Sequence, residues 1–417
     1  MSINRRDFMK MTGCCAGAAA VATTAVPGVS FAGPINAKKI VVIGVDGGLD
    51  GWGMITPVYG DPDYARFRGA LAVPGPNDMN APAERRALYM SDLFGMHPRM
   101  PELYGMFQRG EATLHMNVAL QVYGYNTGSH FVEQRLYQNG LNSRDDSNLS
   151  GWLNRLLTVM EGERNPGAIA VTGSPNLPAN LRGREPSAIY MPPGITTEQV
   201  TIDRLRRTMG TAAIRQIFDT GYERRQALNQ ALNGANINLT NFSNFWGFTT
   251  QAQVVGTILG SDPATAPSVA YMSFGGVDFH TMENNGWGYP AARVAHLSAG
   301  LGVLVDTLKR YNVFQDTLII VVSEFGRPVE QNGGGGTDHG HGQTGIIITG
   351  NPSLRSLPGQ GIAMNGPWPG LASRNPWNSI RENANYMNII RDYVRAHFNM
   401  SVAEIDAVIP TVTRGNG

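Results

Sequence analysis

Thr317-Leu318-Ile319-Ile320-Val321-Val322-Ser323-Glu324-Phe325-Gly326-Arg327 decides the fold class of this chain. Its first six residues are apolar or β-branched at every position. A run without polar alternation is a strand covered on both faces, as in a parallel sheet. Residues 39–45, 113–118, 269–274 and 346–348 read the same way. Between the third and fourth of the five strands in chain order, Val294, Leu297, Leu301, Leu304 and Leu308 step by three and four, which makes one apolar helical stripe. Residues 99–108 and 131–139 read as helices, and 198–233 as a polar helical stretch. Strand and helix in alternation predict an α/β sandwich with a central, mostly parallel sheet flanked by helices. The Asn/Pro/Gly-rich stretches 74–83, 173–195, 235–250 and 351–378 read as loops or small excursions.

Composition narrows the function classes. The 417 residues suffice for a large buried core. With 33 basic against 32 acidic residues, the chain lacks the basic surplus that phosphate neutralisation needs, which argues against a nucleic-acid partner. The first residues carry an address. Arg5-Arg6, then Phe8 and Lys10, precede a small, mildly apolar run, and Ser30-Phe31-Ala32 offers small residues for cleavage. Residues 1–32 read as a twin-arginine export signal, which implies the twin-arginine machinery as a partner and a periplasmic or secreted location. The run is rich in Gly, Ala and Thr and is broken by Pro27, so it does not read as a membrane span, and no later segment does. Both cysteines, Cys14 and Cys15, lie in the signal. The remainder, 33–417, is left without disulfides, Cys nucleophile or thiolate metal site. It reads as one domain with a variable, partly helical insertion at about 165–265.

In an open α/β sheet, sites lie beyond the carboxyl ends of the strands. Asp46-Gly47-Gly48 follows the first run, with Asp50 close behind. Asp278 and His280 follow the third, and Glu324 and Arg327 the fourth. Four glycines then lead into Asp338-His339-Gly340-His341, just before the fifth run. The glycines permit a close approach of backbone to a ligand. A mixed carboxylate and imidazole set suits Zn, Mn or Fe, and a carboxylate-dominated one Mg or Ca. Two such ions could clamp the attacking and leaving oxygens of a phosphate or related ester. After the second run, Ser129 falls at a helix start, where the dipole and free N–H groups favour an anion and an activated oxygen. A plain Ser cap is the competing reading, and Thr127 is the substitute nucleophile. Arg135 or Arg327 could meet an anionic substrate, and each could equally be solvated or ion-paired. His97 and His115 read as structural, and His296 and His397 as surface residues.

These residues and their surroundings support a resemblance. The stretches GGLDGWGMITPVYGDPDYARFRGALAVP, GMHPRMPELYGMFQRGEATLHMNVAL, GSHFVEQRLYQNG, GWLNRLL, DFHTMENNGW and DTLIIVVSEFGRPVEQNGGGGTDHGHG, with the twin-arginine signal, resemble an exported bacterial family of unknown function. That family is grouped with the alkaline phosphatase and sulfatase superfamily. The resemblance implies that Asp46 (or Asp50) ligates one metal, that Ser129 receives the transferred group, and that Asp278 and His280 hold a second metal. Glu324 stands where superfamily relatives carry Asp followed by His. Phe325 takes that His position, and His339 or His341 would substitute. The sulfatase signature, Cys or Ser followed by x-Pro-x-Arg, is absent. Two function classes result. One is an exported metal-dependent hydrolase of a small or polymer-borne anionic ester. The other is a non-catalytic, sulfatase-like protein that binds an envelope polymer, glycan or protein. An exported redox enzyme is disfavoured, because no dinucleotide fingerprint or haem motif is present.

Overall fold

The continuous apolar runs become strands because a helical layer covers each face of the sheet they form. The computed structural model describes residues 38–57, 61–121, 126–144, 150–160, 167–172, 177–183, 188–191, 247–261, 266–281, 287–355, 362–363, 368–372, 380 and 382–412, with isolated positions between 230 and 237. The export signal expected over 1–32 and nearly all of the helical stretch expected over 198–233 lie outside the described residues.

The main sheet contains β1 (Lys39–Val45), β2 (Ala112–Ala119), β3 (Ala168–Val171), β4 (Ala188–Met191), β5 (Val269–Phe274), β6 (Thr317–Ser323), β7 (Gln343–Thr349), β8 (Ile362–Ala363) and β9 (Ala384–Asn385). Their order is β8-β2-β7-β6-β1-β5-β3-β4, with β9 also paired to β2. Neighbours run parallel except β7, which is antiparallel to both β2 and β6. All five strands expected from the sequence are present. The helices of seven or more residues are α1 (Pro101–Gln108), α2 (His130–Asn139), α3 (Trp152–Met160), α4 (Phe248–Leu259), α5 (Tyr289–Arg310), α6 (Tyr386–Phe398) and α7 (Val402–Val408). Among the described residues, no helix is long and apolar enough to cross a membrane.

Strand periodicity of two divides the core. Val41, Ile43 and Val45 of β1 join the cluster under α4 and α5. Ile40 and Val42 join the cluster on the other face, with Leu156 of α3, Ile390 and Val394 of α6 and Ile405 of α7. The stripe on α5 is the seam of the first face. Leu297, Leu301, Leu304 and Leu308 are fully buried, each contributing about 1.5–3 kcal/mol of transfer free energy.

Two expectations need correction. Three of the stretches expected as loops or small excursions carry regular elements: β4 lies within 173–195, α4 begins at Phe248, and β8 lies within 351–378. His397 is not a surface residue. It lies fully buried on the inner face of α6, with Nε2 2.9 Å from Lys39 O. Its neighbours Tyr386, Ile390, Tyr393 and Val394 form the buried stripe that the helix needs. His296 is half-buried against the rings of Phe248 and Phe274.

The strand directions position the site. Val45 stands beside Phe274 on one side and Ser323 on the other, so three parallel strands end in line. β7 runs the opposite way, and its N-terminal loop therefore arrives at the same edge. β2 ends there too and leads through residues 126–129 into α2.

Candidate metal centre

Two loops are sewn together at this edge. Thr337 N donates to Phe279 O at 3.0 Å, and Asn332 Nδ2 donates to His280 O at 2.9 Å. A bridge joins Thr281 to Gly335. At Gly336 a Cβ would stand 2.5 Å from the carbonyl carbon of His280. Here the glycine run admits neighbouring backbone rather than a ligand, which corrects that reading of the glycines.

The seam brings four side chains to one point: His130 from the first turn of α2, Asp278 and His280 after β5, and His339 before β7. His339 Nε2 lies 3.0 Å from His130 Nε2 and 2.9 Å from His280 Nε2. Asp278 Oδ1 lies 3.0 Å from His280 Nε2 and 3.4 Å from His339 Nε2, and Oδ2 lies 3.4 Å from His130 Nε2. His130, Asp278 and His339 form a group whose donor atoms could share one ion.

The far sides of two rings decide what the near sides can do. His130 Nδ1 is 2.6 Å from Glu324 Oε1, and His339 Nδ1 is 2.6 Å from Gly128 O. Both partners are acceptors, so in the neutral rings the proton sits on Nδ1 and the Nε2 lone pairs face each other. Facing lone pairs at 3.0 Å repel unless a cation or proton lies between them. A tetrahedral Zn site with bonds of about 2.0–2.1 Å spaces its nitrogens about 3.3–3.4 Å apart. An opening of a few tenths of an ångström would therefore seat the ion, and the His/Asp donor set fits a divalent cation. The bowl is open on one side. His130 and His339 side chains are 19% and 21% exposed, Asp278 and His280 both 43%.

The surrounding charges are coupled. Burial works against ionisation of Asp278, but the hydrogen bond and charge of Arg327 outweigh it and hold the carboxyl below its usual range. Burial lowers the His130 pKa, yet the bond to Glu324 and the Glu324 and Asp278 charges leave a net upward shift. His339 is shifted down, first by burial, with the Arg327 and His130 charges adding to it. Asp46 is pushed up to about 7 by burial and then by the Glu324 charge.

The other sequence candidates fall around this bowl in different roles. Glu324 lies under it. Its fully buried carboxylate accepts from Gly47 N (2.8 Å), Ser323 Oγ (2.8 Å) and His130 Nδ1 (2.6 Å). Phe325 forms the floor, its ring 4.8 Å from His130 and 4.9 Å from His339. Arg327, also fully buried, donates to Gly47 O, Gly48 O and Thr337 O and to Asp278 Oδ1. Its guanidinium is therefore scaffold, and the expectation that it meets substrate is corrected. Asp338 stands at the rim. Its Oδ1 accepts from Asn332 Nδ2 at 2.9 Å and lies 3.5 Å from His280 Nδ1. Asp46 accepts from Gln134 Nε2 (3.1 Å) and Tyr137 OH (3.3 Å), beside the bowl.

The structure turns two expected ligands elsewhere. Asp50 caps a short helical turn through Gly53 N at 3.1 Å and pairs with buried Arg68. His341 is buried, with Nδ1 3.0 Å from Glu382 Oε1. Thr127 is a latch. Its hydroxyl donates to Glu133 Oε1 at 2.8 Å and accepts from Ser129 N at 3.2 Å. Ser129 is the N-cap residue of α2, and its side chain makes no cap bond. His130 was not among the sequence candidates. Its only signal was its place next to Ser129 after a strand.

An α/β protein with a mostly parallel sheet and a His/Asp cluster at the carboxyl edge is the class that fold and site define. A family described as "Protein of unknown function (DUF1501)" matches residues 265–351. That stretch holds Asp278, His280, Glu324, Asp338 and His339. No curated protein matches the chain. Solved structures are similar to it at low identity. The C-terminal periplasmic domain of phosphoethanolamine transferase EptC from Campylobacter jejuni is 9% identical, with 90% of this chain and 95% of that one covered at a TM-score of 0.40. The C-terminal periplasmic domain of EcEptC from Escherichia coli, in a complex with Zn, is 12% identical, with 75% and 73% covered at 0.37. The phosphonate monoester hydrolase of Agrobacterium radiobacter is 13% identical, with 78% and 70% covered at 0.37.

Proposed function

We propose that this chain is an exported, divalent-metal-dependent hydrolase of phosphate or related esters. The convergence of three imidazole Nε2 atoms on Asp278, with two tautomers fixed by Glu324 and Gly128 O, carries the reading. His130, His280, His339 and Asp278 would hold the ion. A divalent cation bound there supplies Lewis-acid stabilisation of charge on an ester oxygen.

The chain's own residues do the rest. Arg327 fixes the Asp278 carboxylate, and Glu324 fixes the His130 ring. Ser129, next to His130 at the N-terminus of α2, is the residue that would receive the transferred group. The helix dipole and first-turn N–H groups there favour the negative charge that develops during transfer. Its hydroxyl would give up its proton to solvent and its oxygen would form the bond to phosphorus or sulfur as the bond to the leaving alkoxide breaks, the alkoxide taking a proton from solvent as it departs. Water would then cleave the Ser129 ester and restore the hydroxyl.

The test is elemental analysis of protein recovered after export, with turnover of aryl phosphate, phosphodiester and sulfate esters. Stoichiometric metal is expected, with loss of turnover in chelator and a drop on the order of 10³-fold or more in Ser129→Ala at unchanged metal content. Wild-type turnover in Ser129→Ala would remove the Ser129 step, and protein recovered without metal would overturn the reading. Metal without turnover of any ester would favour the non-catalytic, binding alternative.

A further inference from the structure

A cavity of about 470 Å³ opens beside the metal centre, on the outer side of α2. It falls within the range of about 300–1,000 Å³ usual for small-molecule sites. Asp46 is part of its wall. The next residue, Gly47, donates its N–H at 2.8 Å to Glu324 Oε1, which holds His130 at 2.6 Å, so cavity and centre adjoin.

One helix supplies five of the thirteen lining residues, four of them at helical spacing. Phe131, Gln134, Arg135 and Gln138 stand at i, i+3, i+4 and i+7 on α2 and all face the cavity. Leu136, Tyr137 and Glu133 of the same helix are buried on the inner side. Phe131 presents its ring here, 81% exposed and among the cavity-lining residues. It is one residue from His130. Gln134 spends its Nε2 on Asp46 Oδ1 at 3.1 Å, which leaves its carbonyl oxygen for the cavity. Thr172 and Ser273 add hydroxyls from the ends of β3 and β5. Arg182, whose Nε is anchored on Leu177 O at 3.2 Å, adds a second cation.

This lining selects a chemistry. Neutral amides and hydroxyls, able both to donate and to accept, suit a polyol. An exposed aromatic face at the mouth suits the C–H face of a sugar ring. The arginines suit an anionic substituent. The geometry points to a saccharide-recognition subsite that holds the sugar of an anionic sugar ester, phosphate or sulfate, with its ester group directed past Asp46 to the metal centre. The orientation of the ester rests on the hydrolase reading above. The binding of the sugar does not.

Binding separates the two. Ser129→Ala protein, isolated with its metal, is titrated calorimetrically with a hexose 6-phosphate, an N-acetylhexosamine 6-sulfate, a sulfated disaccharide and a longer sulfated oligosaccharide. The unsubstituted parent sugars are titrated alongside. Tighter binding of the oligosaccharide than of the monosaccharide esters would assign a polymer-borne source, and equal binding a free sugar ester. Adding Phe131→Ala or Arg182→Ala should weaken the best ligand about tenfold or more with the melting temperature unchanged. Adding Met79→Ala, an exposed apolar residue not lining the cavity, should not weaken it. Millimolar or absent binding of every sugar, or binding indifferent to Phe131→Ala and Arg182→Ala, overturns the subsite. Pocket-dependent binding in a protein that hydrolyses no ester keeps the subsite and removes the hydrolase reading. Ester hydrolysis without sugar binding does the reverse.

Discussion

Replacing Glu324 tests whether its carboxylate supports the metal centre from below or belongs to it. Three donors meet that carboxylate in a fully buried position: Gly47 N, Ser323 Oγ and His130 Nδ1. In Glu324→Ala, Ser323 Oγ can still donate to Val45 O at 2.9 Å, but the other two donors lose their acceptor. Two orphaned buried donors at about 1–3 kcal/mol each amount to about 2–6 kcal/mol before any cavity cost. Glu324→Gln is gentler. Its carbonyl oxygen can accept from Gly47 N and His130 Nδ1, and its amide can donate to Ser323 Oγ. The fold should survive with a loss of about 1–2 kcal/mol. The negative charge behind His130 is gone, however, and the ring becomes a poorer donor to a cation. Loss of such an outer partner costs about 10–100-fold in metal affinity. The assay is competition with a chromophoric chelator for Zn, run beside thermal melts with and without chelator. Wild-type affinity in Glu324→Gln would refute the geometry that places Glu324 under His130. A loss beyond about 10⁴-fold, far outside the outer-partner range, would refute it in the other direction and make the carboxylate a ligand itself.

Other perturbations have equally definite outcomes. Leu301→Ala, at the centre of the α5 seam, should cost about 2–5 kcal/mol in denaturant unfolding, and a cost near zero would refute the assigned core. Gly48 has φ +69°, and an added Cβ would stand 2.7 Å from Phe325 Cε2. Gly48→Ala should therefore lower stability by more than about 1 kcal/mol and, through the ring that floors His130 and His339, weaken metal binding; an unchanged melting temperature and affinity would refute this. Burial, helped by the Lys38 charge, pushes the His397 pKa down to about 3 from 6.5. The folded chain then refuses a proton that the unfolded chain accepts, so this contribution is full above pH 6.5 and is lost as pH falls toward about 3. The stability difference between wild type and His397→Gln should shrink on acidification at up to about 1.4 kcal/mol per pH unit, and parallel pH curves would refute it.

The sequence by itself determined the layer architecture. An apolar run such as 317–322 can satisfy its two faces only between two helical layers, and the α5 stripe can be buried only against such a sheet. Both facts are local and periodic, so they are visible without coordinates. The positions of Asp46, Asp278 and Glu324 after strands were legible for the same reason, since parallel strands deliver their ends to one edge. Other features were not. β7 runs antiparallel, and only that direction brings His339 to the edge where β1, β5 and β6 end. His130 meets Glu324 and His339 across 194 and 209 residues, and its place beside Ser129 after a strand does not reveal those partners. The choice of His339 over His341 depends on how the loop before β7 closes against Phe279 and His280, and Asp46 and Asp50 are drawn off to Gln134 and Arg68. His397, by contrast, one residue from the end of its helix, continues the periodic stripe of Tyr386, Ile390, Tyr393 and Val394, so its burial follows from the same local spacing as the α5 stripe. Composition and spacing determine which residues can form layers; which side chains then meet depends on strand direction and loop closure, and these are properties of the whole chain.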